Sequence, residues 1–191
     1  MSVISFFTIA IALGINSLLL FQRCAKATPV RLSAGVLVVL VLTLVHIAMY
    51  YLGILLGNLL RIGSPDSPEL FARANAYITL GLFLIVILKN LFPYLRRNPQ
   101  LPVFPLTTVP SALAMAAATG INVFLLGIGV GLVTLSPNPH LILWPLLLAE
   151  TLLGSVGLMF GRQKVQLRPR RWAIVSAVIL LVVAVAAVVN A

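Results

Sequence analysis

Acidic residues are nearly absent from this chain. It carries three Asp and Glu against thirteen Lys and Arg, and charged residues of both signs fill only 8% of its 191 positions. A soluble domain is about a quarter charged, so this scarcity excludes an ordinary water-exposed fold. Cysteine is as rare. Cys24 stands alone, which excludes an internal disulfide and any multi-cysteine metal centre, and leaves an ordinary loop thiol. No motif pairs a nucleophile with a base, and no Gly-rich loop precedes a basic residue to cradle phosphate. Neither catalysis nor a cofactor is expected. No Lys or Arg precedes Arg23, so the first apolar segment lacks the basic start of a secretory signal and is expected to be a retained helix. Phe21-Gln22-Arg23 also lacks the small residues expected ahead of a lipoprotein cysteine.

What the chain has instead is apolar length. Hydrophobic residues make up 61% of it. Six runs approach or exceed the ~20 residues needed to cross a hydrocarbon core: 3–21, 35–60, 75–92, 111–135, 140–160 and 172–190. They leave no room for a soluble catalytic domain. The expected fold class is an all-α membrane protein with six transmembrane helices. The net charge of +10 could suggest nucleic acid, but its distribution argues for a bilayer. Arg23, Lys26 and Arg31 fall in the first loop; Lys89, Arg96 and Arg97 flank the third; Arg162, Lys164, Arg168, Arg170 and Arg171 fill the fifth. The second loop offsets Arg61 and Arg73 with Asp66 and Glu69, and the fourth, "SPNPH", has neither Lys nor Arg. Odd loops are basic and even loops are not. This positive-inside pattern predicts odd loops in the cytoplasm and both termini outside, as for a multi-pass protein of the bacterial inner membrane.

Two segments repeat. "ALGINSLLLF" at 12–21 and "ATGINVFLLG" at 118–127 share six of ten residues, placing Asn16 and Asn122 in matching positions 106 apart. His46, Gly53 and Gly57 recur as Glu150, Gly157 and Gly161, offset by 104. Residues 1–92 and 111–191 therefore read as two three-helix repeats, joined by a linker at 93–110 that holds five prolines. An odd number of spans inverts the second repeat relative to the first. Inverted repeats characterise many secondary transporters, whose site lies near the midplane between the halves. The glycines 53, 57, 127, 157 and 161 lie in small-xxx-small patterns that bring helix backbones close, and they are assigned to packing.

The polar residues inside the spans are few. Thr43, His46, Tyr50 and Gly53 share one helix face, Thr119 and Asn122 another, and Ser17 adjoins Asn16. Glu150 is the one acidic side chain within a span; a carboxylate there costs several kcal/mol unless protonated, paired or ion-bound. Asn16, His46, Asn122, Glu150, Thr43 and Thr119 are the candidate substrate-binding residues. The first four also form a nitrogen-and-oxygen set suited to a hard or borderline dication such as Mn²⁺. The bland reading is a protonated Glu150 and two amides serving as interhelical glue.

"ATGINVFLLGIGVG" (118–131), "GLMFGR" (157–162), "TPVRLSAG" (28–35) and the His46-to-Gly57 spacing resemble the MntP-type manganese efflux pumps of the lysine-exporter superfamily. The resemblance implies six helices in two repeats and export of a divalent cation across the bilayer. In that family the positions of Asn16 and Asn122 hold aspartates, that of His46 a glutamate, and that of Glu150 usually no acid. The expected function is therefore a secondary exporter of a manganese-like dication. Its rivals are an exporter of amino acids or another small organic solute, and a non-transporting protein of the same fold. A redox subunit with inverted three-helix repeats would need cysteines from both halves for its iron–sulfur cluster, and the single Cys24 argues against it.

Overall fold

The computed structural model describes residues 3–28, 31–61, 68–95, 103–106, 109–133 and 139–189. Six helices account for nearly all of them: α1 (Val3–Ala27), α2 (Leu32–Leu60), α3 (Pro68–Leu95), α4 (Val109–Val133), α5 (Pro139–Arg162) and α6 (Pro169–Val189). Each is long and apolar enough to cross a membrane. Most run beyond the apolar stretch that predicts them, because a helix keeps satisfying its backbone hydrogen bonds after its side chains turn polar. The proline-rich segment is shorter as a connection than its composition suggests. Helix α3 continues through Pro93 to Leu95 and α4 begins at Val109. A proline within a helix donates no backbone bond and crowds the carbonyl four residues earlier, here that of Lys89. Asp66, Arg96, Arg97, most of the fourth loop and the middle of the linker lie outside the described residues.

The bundle buries several polar side chains within an apolar core and leaves many large apolar ones at its surface. Ser17, Thr43, His46, Asn75, Thr79, Asn122, Glu150 and Ser176 are buried, while Leu44, Leu55, Ile85, Ile121, Leu152 and Val182 are exposed. So many large apolar side chains at the surface would be an aggregation hazard in water and are ordinary against lipid tails. The apolar core gathers Phe83, Leu126 and Leu180 in one cluster and Phe21, Leu42, Met115 and Leu158 in another.

Helix pairing follows the repeat. The most extensive contacts are α1 with α5, α2 with α4, α1 with α6, α3 with α4, α2 with α5 and α3 with α6. Exchanging α1–α3 for α4–α6 returns the same set of pairs. The correspondence reaches single residues. A Cβ added at Gly53 or Gly57 would meet the carbonyl oxygens of Phe124 and Ile128; one added at Gly157 or Gly161 would meet those of Leu18 and Gln22. The glycines differ by 104 and their carbonyl partners by 106, the same two offsets that the sequence repeat shows. Gly127 in turn lies against the Tyr50 carbonyl. These close backbone approaches need glycine because any side chain would wedge the helices apart.

The ends of the two pairs are fastened differently. Arg61, just after α2, donates from Nε to the Leu132 carbonyl (3.0 Å) and from Nη2 to the Gly131 carbonyl (2.7 Å), covering acceptors at the end of α4. At the corresponding place in the other half, Gln22 Nε2 of α1 donates to the carbonyl of Val165, just after α5 (2.8 Å). Lys164, at φ 53, turns the chain out of α5; its N–H bonds the Gly161 carbonyl and that of Val165 bonds Phe160. This is the paired-bond termination that glycine usually supplies.

Candidate functional site

His46 and Glu150, 104 residues apart, lie near the middle of α2 and α5, and they bond each other directly. His46 Nδ1 lies 2.8 Å from both Glu150 oxygens. The other ring nitrogen, Nε2, lies 2.8 Å from Thr119 Oγ1 of α4. Both members are almost wholly enclosed, His46 at 3% exposure and Glu150 at 1%. Two facing ionisable groups thus satisfy each other in a place where either alone would be costly.

Thr119 Oγ1 also lies 2.8 Å from the Met115 carbonyl one turn back. Its single proton goes either to that carbonyl, with Nε2–H donating to the hydroxyl, or to a bare Nε2. In both arrangements His46 is held by both ring nitrogens, between Thr119 and Glu150. Thr43, placed on the same stripe by its spacing, spends its hydroxyl on the Val39 carbonyl one turn back (2.9 Å).

A cleft of about 170 Å³ opens beside this pair, lined among others by Asn16, His46, Thr119 and Asn122. The repeated asparagines thus face one space, although neither bonds the other. Asn122 is 9% exposed and donates from Nδ2 to Asn90 Oδ1 of α3 (2.8 Å). Glu150 and Thr43 do not line the cleft; Glu150 stands behind His46. The opposite end of the α2–α4 pair is closed by the contacting glycines and Arg61. The cleft runs instead toward the ends of α1 and α3, where Arg23, Lys89, Tyr94 and Phe104 border it.

Arg23, Lys89, Asn90 and Tyr94 were not among the candidates from sequence. Arg23 is expected in the first loop, but α1 continues to Ala27 and carries it inside the bundle. Its spacing of seven from Asn16 places both on one helix face, a signal that was available. Asn90 lies inside a predicted span and has no match in the repeat, which is why symmetry alone overlooks it. Among the described residues no group of three or more His, Cys, Asp or Glu could hold a metal ion. Any dication here would rely on amide oxygens and one imidazole.

No curated protein and no solved structure matches the chain. The family described as "Putative manganese efflux pump" matches it over residues 29–188. That stretch contains His46, Thr119, Asn122 and Glu150, and stops short of Asn16. It runs from just before α2 into the last turn of α6, well over half of the chain, so the chain belongs to this manganese efflux pump family.

Proposed function

We propose that the protein is a secondary transporter of the bacterial inner membrane that exports a manganese-like divalent cation through the cleft between two inverted three-helix repeats. The observation that carries the reading is the convergence of Asn16, His46 and Asn122 on one cleft, with Glu150 held behind His46. In metal sites a ligating histidine commonly donates its second N–H to a carboxylate, which orients the ring and raises its basicity. Glu150 is positioned for that part. The cation would meet His46 Nε2, the amide oxygens of Asn16 and Asn122, and Thr119. To ligate, Nε2 must present its lone pair, leaving Nδ1–H to donate to the carboxylate, so a proton and the cation compete for Nε2. A single negative charge behind a neutral ligand set makes the site weak, which suits an exporter that must let its cargo go. The odd-loop charge bias supports both termini outside, so the cleft's open end would face the cytoplasm.

Efflux from proteoliposomes against a panel of divalent cations and amino acids tests the proposal. Mn²⁺ movement that depends on Glu150 is the expected result. Movement of an organic solute with no dication moved would overturn it in favour of the small-solute exporter.

A further inference from the structure

Seven buried side-chain nitrogen or oxygen atoms among the described residues have no hydrogen-bond partner, and five belong to residues that line this one cleft. They are Asn16 Nδ2, Asn90 Nδ2, Asn122 Oδ1, and Nε and Nη1 of Arg23. Four are donors and one is an acceptor. Exchanging the two amide ends of the bonded Asn90–Asn122 pair would still leave one donor and one acceptor there, so the excess of donors does not depend on how those amides are assigned. Buried donors left unpaired are costly, and more so when charged. Such a group of them fits an acceptor-rich ligand.

The charge of the lining agrees. Arg23 and Lys89 border the cleft and no carboxylate does. Glu150 is turned to His46 with both oxygens. Glu69, the other acidic residue described, begins α3, about 30 Å along that helix from Lys89. Arg23 is held by a side-chain hydrogen bond with Tyr94, while Nε and Nη1 have no partner. These two point in different directions, and each offers a charge-assisted hydrogen bond to a carboxylate or phosphate oxygen.

We propose that the Arg23 end of the cleft is an oxyanion site, taking the carboxylate or phosphate-type group of a small solute or of a lipid headgroup, with Lys89 and the Asn90 and Asn16 amides adding donors. The site needs no metal, and its existence does not depend on the cation-export reading. It does bear on it. Two cationic side chains repel a bare dication on its way to His46, and an oxyanion seated at Arg23 would offset that repulsion.

The test is calorimetric titration of the purified full-length chain in nanodiscs, in metal-free buffer, with succinate and with inorganic phosphate. Discs of phosphatidylcholine are compared with discs containing phosphatidylglycerol. Wild type should bind at least one of the two anions in phosphatidylcholine, and Arg23→Gln should weaken that binding at least tenfold. Arg23→Lys keeps the charge but loses the fixed Nε and Nη1 donors, so it should weaken binding by a smaller factor; it also serves if the glutamine variant fails to fold. Binding that persists in phosphatidylglycerol identifies a soluble oxyanion as the occupant. Binding abolished there, together with a higher Tm of wild type but not of the Arg23 variants, identifies the lipid phosphate. No anion binding and no lipid-dependent Tm would overturn the proposal, as would equal binding by wild type and Arg23→Gln. Neither result would touch the cation reading, which is measured by Mn²⁺ efflux.

Discussion

At the residue scale, His46 and Glu150 have meaning only as a pair. Removing one partner of a buried pair leaves the other charge uncompensated and typically costs about 3–5 kcal/mol, whereas replacing both with apolar residues can be neutral. His46→Leu should therefore lower the thermal stability of the detergent-solubilised protein strongly, and adding Glu150→Leu should restore most of it. Additive losses would count against the direct bond. Glu150→Gln keeps shape and hydrogen bonding but removes the charge behind His46. Mn²⁺ affinity should fall by about 10–100-fold, as for other carboxylates that orient a metal-bound histidine, with insertion and folding near normal. Unchanged affinity would mean that the pair is glue. Asn16→Asp with Asn122→Asp adds two negative charges where the cleft has none and should tighten Mn²⁺ binding. Because a proton and the cation compete for the Nε2 lone pair, wild-type binding should weaken as pH falls. Titration at two pH values across the three proteins reads all of these effects.

At the element scale, the helix pairs α1–α5 and α2–α4 are held at backbone contact by glycine. Any side chain at Gly53 or Gly57 would run into the carbonyls of Phe124 or Ile128, so Gly57→Ala should destabilise by about 1–3 kcal/mol, the usual cost of overpacking. Gly157→Ala, facing the Leu18 carbonyl, should cost a similar amount if the two pairs are equivalent. Gly81 has nothing within 4 Å of where its Cβ would lie, and Gly81→Ala should be tolerated. Thermal unfolding of the three variants ranks them. A ranking with Gly81→Ala as the worst would contradict the packing described here. Arg61 adds a charged fastening at one end of α2–α4, where its donors cover the last carbonyls of α4.

At the scale of the whole molecule, six apolar spans and basic odd loops predict one orientation in the membrane. With the buried Cys24 changed to serine, single cysteines at Asn98 and Gln166 should react with an impermeant maleimide only after cells are permeabilised. Labelling of both in intact cells would reverse the topology and point the open end of the cleft outward.

The six helices and their apolar surfaces are legible in the amino acids alone, because hydrophobic length is a local property of a chain. The sequence also marked Asn16, His46, Thr119, Asn122 and Glu150, since polar groups inside apolar spans stand out without any structure. Which of them meet was a tertiary decision. The offsets of 104 and 106 equate His46 with Glu150, yet only the packing of α2 against α5 turns equivalent positions into bonded partners. The same packing put Glu150 behind the cleft and drew in Arg23, Lys89 and Asn90 from helix segments that composition reads as loop edges or lets pass. A side chain's charge is written in the sequence, but the space it faces depends on helices far away along the chain.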